Sequence, residues 1–396
     1  MKGPLFVIFA LWISASALAV DFGFIMNFQP VYDTGTGEGV FTFTRSYIPW
    51  VSFSPDEKVS FYISARVGLE NEYKDGHGDK ETFFEFDRAE LNLRVEETVH
   101  LTFGRQRYRD SGGMIASGLF DGFNGTFGLG RARITGSVFS TAPLRKKTAE
   151  ILITETDREA YRDSDQYFAS NRVITAFGVE FPDLTSRTSL TVSGLGQFDL
   201  NGYGGSTLHS QYFTALYRIE ALNTLRFVIT GIAGVMESSW APQGNLAGAL
   251  TADWDFPGGL SDMVTGEMEW GSGEVNSAIG AFIPVNRIRR GTVFTPVLSG
   301  IMDARLSYRA RLHHTLSFNA ASALFFRTDL ETFRDTELDL TSKDRYLGTE
   351  IYGQMIWAPQ SPLRVTAGGG VFLPGGAFVS DADPKWKIDT GLIFSL

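Results

Sequence analysis

Residues 59–70 read VSFYISARVGLE and alternate along their whole length. Val59, Phe61, Ile63, Ala65, Val67 and Leu69 form one row, while Ser60, Tyr62, Ser64, Arg66, Gly68 and Glu70 form the other. A side-chain period of two marks a β-strand. An ordinary globular strand has about 5–6 residues, whereas a strand crossing a bilayer needs about 9–11. The apolar row carries no charge, and the opposite row carries Arg66 and Glu70. This is the pattern of a strand with lipid on one side and water on the other.

The pattern returns along the chain. Ala89, Leu91, Leu93 and Val95 oppose Arg88, Glu90, Asn92 and Arg94; Ala132, Ile134, Gly136 and Val138 oppose Arg131, Arg133, Thr135 and Ser137. Leu225, Phe227 and Ile229 oppose Arg226, Val228 and Thr230, and Leu306 and Tyr308 oppose Arg305, Ser307 and Arg309. About 18 such segments can be drawn, with 16 as the alternative, since single-chain bacterial barrels have even strand numbers. The two counts differ over residues 22–28 and 40–53, which read as two strands or as one strand and a lead-in. In hydrocarbon every backbone N–H and C=O must pair, so open sheet edges are forbidden. The predicted fold is therefore all-β, a closed antiparallel transmembrane β-barrel. A soluble sandwich or propeller would have shorter strands and fewer charges opposite rows of Phe and Gly.

Connections sort into two kinds. Short turns at 54–57, 96–97 and 359–362 suit the periplasmic end, and long polar stretches at 71–82, 141–166, 236–245 and 328–346 suit the exterior. The longest, 141–166, can fold inward as a constriction or cover the mouth.

The amino terminus adds a route. Lys2, the apolar run from Leu5 to Ile13 and the Ala17-Leu18-Ala19 step read as a cleaved signal peptide over residues 1–19. The expected mature chain, 20–396, is one barrel domain in the outer membrane. The last stretch, 384–396, places Trp386, Ile388, Thr390, Leu392, Phe394 and Leu396 on one row. It resembles the carboxy-terminal signal read by the outer-membrane assembly machinery, with Leu396 where a terminal Phe is usual.

Composition narrows the function. The chain has no cysteine, which excludes disulfides and a lipid anchor on that residue. Its 33 Phe, 43 Gly and mean hydropathy of −0.04 suit a barrel, whose two rows cancel in any average. The net charge is −10, becoming −11 once Lys2 is removed with the signal peptide, which argues against nucleic acid as a partner. Membrane lipids and small solutes are the partners expected; monomer and trimer are both open.

Candidate chemistry lies on the polar rows. Arg66, Arg88, Arg94, Arg131, Arg133, Arg218, Arg226, Arg305, Arg309, Arg364 and Lys387 fall there, against Glu70, Glu90, Glu267, Glu269, Glu350 and Asp389. Arginines in a lumen attract anions at long range and grip carboxylates in a bidentate fork. Cross-strand neutralisation by the acids is the competing reading. The five histidines lack a matched Ser or Asp context, and Asp75, Asp79 and Glu81 lack the EF-hand spacing. No catalytic site, metal site or cofactor is expected.

Residues 101–113, LTFGRQRYRDSGG, followed by Phe120-Asp121-Gly122, resemble the alginate-export porin family. The matching residues are Gly104, Arg105 and Gln106 on one strand and Phe120, Asp121 and Gly122 on the next. The resemblance implies an 18-stranded outer-membrane barrel, an arginine-lined lumen to which Arg105 belongs, and passage of acidic sugar polymers. Pattern and resemblance together predict a non-enzymatic porin for small or oligomeric anionic, sugar-like solutes. A loop-based adhesin or structural barrel is the alternative, and an outer-membrane hydrolase is the weaker third.

Overall fold

A computed structural model describes residues 19–35, 39–200, 207–238, 242–274 and 278–396. Eighteen antiparallel strands close into one barrel. They are β1 (Ala19–Asp33), β2 (Val40–Ser54), β3 (Val59–Lys74), β4 (His77–Glu96), β5 (Val99–Arg109), β6 (Ser117–Leu129), β7 (Ala132–Ser140), β8 (Arg172–Thr185) and β9 (Thr188–Asp199). The second half comprises β10 (Leu208–Leu222), β11 (Leu225–Ser238), β12 (Pro242–Asp255), β13 (Met263–Gly271), β14 (Ile301–His313), β15 (Leu316–Arg327), β16 (Tyr346–Gln360), β17 (Leu363–Pro374) and β18 (Lys385–Ser395). Each strand pairs with its sequence neighbours, and β1 pairs with both β2 and β18. The seam is tied at the last residue, where Leu396 and Phe24 exchange backbone hydrogen bonds of 3.0 Å.

The phase read from the sequence holds. Phe61, Ile63 and Val67 stand exposed on the outside, whereas Ser64 and Gly68 are buried within. Phe22, Phe177, Phe213, Leu306, Ile351 and Ile388 continue the outer belt, and Trp254 and Trp357 lie exposed near the short-turn end. Exposed apolar side chains on every wall of a closed barrel are a lipid-facing band with an aromatic girdle. The chain is an outer-membrane barrel.

Two expectations about connections change, and one long connection carries no pattern that predicts it. Residues 71–82 are strand: β3 and β4 meet across Asp75-Gly76, whose φ angles of 51° and 77° make the two-residue turn that right-twisted strands favour. This hairpin tip carries charge on both faces, so its sequence shows no alternation and reads as loop. Most of 236–245 is also strand, belonging to β11 and β12, and the connection 239–241 lies outside the described residues. The long segment 272–300, between β13 and β14, shows no period in the sequence. The expected signal peptide covers residues 1–18, which also lie outside the described residues, and Ala19, the first residue of β1.

The segment 141–171 turns inward. It contains two short helices, α1 (Lys146–Ala149) and α2 (Glu155–Arg162). Thr154 caps α2 by accepting from Asp157 N–H, and the Asp157 carboxylate accepts from Thr154 N–H in return. Such reciprocal caps satisfy two otherwise orphaned donors.

Candidate functional site

Two apolar clusters fill part of the barrel. The larger joins inward residues of β6 to β12, among them Phe139, Ile174, Leu195, Tyr212, Ile232 and Ala247, to three infolded segments. Those segments supply Met114 and Ile115, then Leu144, Ile151 and Ile153, then Phe282, Val285 and Leu298. The smaller joins Ile301, Phe325, Leu347 and Phe372 on β14 to β17 to Phe294, Leu338 and Phe378 from loops. No residue of β18, β1, β2, β3 or β4 belongs to either cluster. That arc, lined by Asn27, Thr44, Ser46, Ser64, Arg66, Arg88 and Asp389, is the polar wall of the lumen.

Buried ion pairs fix the infolded segments. Arg172, fully buried at the head of β8, donates to Asp157 of α2 at 2.6 Å and to Asp199 of β9 at 3.1 Å. Arg105 donates to Asp121 at 2.8 Å, to the Phe86 carbonyl at 2.8 Å and to the Pro143 carbonyl at 2.8 Å. Glu85 accepts from the Thr148 hydroxyl at 2.6 Å and from Arg145 N–H at 3.3 Å, while Glu81 pairs with Arg145 and Lys147. Glu350 accepts three successive backbone N–H groups, from Thr292, Val293 and Phe294, at 2.8, 2.9 and 2.8 Å. A carboxylate receiving several amide donors is strongly held. The Tyr167 hydroxyl donates to the Phe84 carbonyl, and burial, helped by nearby Glu85, pushes its ionisation up.

The arginines singled out in the sequence divide three ways. Arg66 and Arg88 lie on the uncovered arc, Arg66 paired with Asp87 and Arg88 held in a fork by Glu90 at 2.7 and 2.6 Å. Their side chains remain 31% and 38% exposed. Arg94 faces inward on the same arc near the short-turn end, opposite His100. Arg133 pairs with Glu180 at 3.1 Å, Arg226 with Asp255 at 3.3 Å and Arg305 with Asp303 at 3.7 Å, while Arg309 lies exposed near the foot of β14. Two assignments need correction. Arg131 sits in the turn between β6 and β7 rather than on a strand, because Gly130, at φ 60°, ends the ladder. Arg105 is an anchor rather than a lining residue: its side chain is 7% exposed and its donors are taken.

The same geometry supplies acids that sequence reading passed over. Asp33, Glu180, Asp253, Asp255 and Asp303 share the inward phase, opposite Lys387, Arg133, Thr265, Met263 and Glu269 in the strand register. They remove the excess of cations that the sequence suggested. Asp87 escaped notice for another reason: it is the extra residue of a bulge where β4 shifts register against β3.

No protein-family profile and no curated protein matches the chain. Solved structures do. A BenF-like porin from Pseudomonas fluorescens Pf-5 is similar with a TM-score of 0.65 at 10% identity, over 95% of this chain and 98% of that one. Pseudomonas aeruginosa OccK2 (OpdF), in complex with glucuronate, gives 0.62 at 12% identity over 95% and 98%. OccK5 (OpdH) of the same organism gives 0.59 at 10% identity over 95% and 98%. The likeness is one of fold. It is porin-like, and it does not by itself show the alginate-export family that residues 101–122 resemble.

Proposed function

We propose that the barrel is a passive-diffusion channel for small polar solutes, with a mild preference for anions such as sugar acids. Residues 1–19 are removed on export in this reading, and no chemistry is performed on the solute. One observation carries it: the inward row of the arc β18–β4 is mostly polar, and none of its residues belongs to the apolar clusters that fill part of the interior. An 18-stranded barrel is wide enough for an aqueous path beside such infolded segments. Arg66, Arg88 and Arg94 supply the anion contacts, with Arg133, Arg226, Arg305 and Arg309 contributing field from the opposite wall. The carboxylates paired with most of these arginines keep the preference mild, because paired charges cancel at distances beyond a Debye length, about 8 Å at physiological salt. A similar barrel solved with glucuronate supports solutes of this class.

Reversal potentials across planar bilayers in a salt gradient test the proposal. Wild-type protein conducts with anions favoured, and Arg66→Gln with Arg88→Gln moves the reversal potential toward zero. A closed barrel, or a clear cation preference, refutes it.

A further inference from the structure

The short-turn half of the polar arc holds two aromatic side chains that no core needs. Trp50 on β2 and Tyr62 on β3 share the inward phase with Ser64 and Arg88, yet neither joins an apolar cluster. Trp50 stands opposite Gly23 of β1 in the strand register. A Cβ at Gly23 would lie 1.9 Å from the Leu396 carbonyl oxygen and 2.8 Å from Cζ2 of Trp50, so the missing side chain makes room for the closing seam and for the indole beside it. Tyr62 continues that surface, its ring 6.1 Å from the indole with 17° between the planes. Arg88 continues it again, with Cζ 4.6 Å from the Tyr62 ring centroid. Glu90 grips Nε and Nη2 of Arg88, which fixes the guanidinium in place and leaves Nη1 without a hydrogen-bond partner among the described residues. Trp50 and Tyr62 line an open groove at the short-turn rim together with Asp21, Ser52 and Leu396.

We infer that Trp50, Tyr62 and Arg88 form a strip that binds the ring of a cyclic sugar acid on its way through the lumen. The inference rests on the channel reading and names the solute class within it. A pyranose offers a face of C–H bonds that lies flat on aromatic rings. Its carboxylate meets the free edge of Arg88, and its hydroxyls meet Ser52. An open-chain acid of equal charge and carbon number offers the carboxylate without the rigid face. The strip therefore selects by shape where the arginines select by charge.

Current blockade in planar bilayers, with glucuronate and gluconate as probes, separates the two. Glucuronate should half-block wild-type channels at about one fifth the concentration that gluconate needs, equivalent to about 1 kcal/mol for an aromatic contact at a partly wet site. In Trp50→Leu and in Tyr62→Leu, which keep apolar bulk but lose the flat face, the two concentrations should converge while open-channel conductance stays. Should Trp50→Leu fail to assemble, Tyr62→Leu decides by itself. Equal blockade by both acids in wild-type channels overturns the strip and leaves the channel standing, as does a preference that survives in the variants. A wild-type barrel that passes no current overturns the channel reading and the strip with it.

Discussion

Replacing Arg172 by Leu should release the segment 141–171 from the barrel interior. Arg172 is fully buried, and the carboxylates of Asp157 and Asp199 that it holds are 0% and 3% exposed. Removing one partner of a buried pair costs about 3–5 kcal/mol, because the remaining charge keeps its desolvation penalty. Here two carboxylates lose their cation. Opposing release is the burial of Leu144, Ile151 and Ile153 in the larger cluster. At about 1.5–3 kcal/mol each, that burial sums to roughly 4–9 kcal/mol as an upper bound, before the entropy of ordering the segment is subtracted. The two magnitudes are close enough that loss of the pair leaves the infolded state marginal. Single-channel records of Arg172→Leu should therefore show flicker to a higher conductance, and trypsin added from the loop side should cut after Arg158 or Arg162 of α2. The triple variant Arg172→Leu, Asp157→Asn, Asp199→Asn removes the stranded charges and should regain a quiet current and protease resistance. Wild-type conductance and resistance in Arg172→Leu alone would refute the reasoning, since the segment would then be held without the ion pair.

Other outcomes follow from the same contacts. Cysteine at Arg66 or Glu70 should react with a water-soluble thiol reagent from the lumen and cysteine at Ile63 or Val67 should not; the reverse pattern would invert the wall. Glu350→Gln weakens a carboxylate that accepts three amide donors and should cost about 1.5–3 kcal/mol locally, read as faster hydrogen exchange at Thr292, Val293 and Phe294. Gly104→Ala should lower the temperature of heat-induced unfolding on gels, because Gly104 has φ 99° and a Cβ there would meet the Ala89 carbonyl; strain of this kind costs about 1–3 kcal/mol.

What the sequence exposes and what it hides have separate causes. β3 is legible because its two faces meet lipid and polar lumen, so that solvent writes an alternation into the chain. On β8 to β11 the inward row includes Ile174, Leu195, Tyr212 and Ile232, apolar because infolded segments cover it. Around those residues both faces are apolar and the period fades, while β11 still shows it near the short-turn end at residues 225–230. The segment 272–300 hides for the complementary reason: Phe282, Val285 and Leu298 are core residues without a regular period, since no repeating element presents them. The role of Arg105 depends on Asp121, its partner across the β5–β6 hairpin, and that register is set by a tightly packed connection at 110–116. Sequence alone gives the charge of Arg105 and not the acid that consumes it.

The interior is thus divided by chemistry. Over β6 to β12 and β14 to β17, apolar side chains of wall and loop pack as in a soluble core, and ion pairs such as Arg172 with Asp157 pin the loops to particular strands. Over β18 to β4, the wall keeps polar groups and joins neither apolar cluster, and loops reach only its edges, at Lys385 and Lys387 of β18 and at Glu81 and Glu85 of β4. A barrel this wide does not need a filled centre to close, because backbone pairing completes the sheet whatever lies inside. In the proposed channel, the apolar half therefore sets the width of the path, and the polar half sets what travels along it. Substitutions on the two halves of that channel report on different properties: Ile174 on the stability of the infolded half, and Arg88 on the passage of solute. Arg88 can be changed without opening a cavity, whereas Ile174 cannot, since a fully buried side chain leaves a void that its neighbours fill only in part. Selectivity can change along the arc while the fold stays fixed.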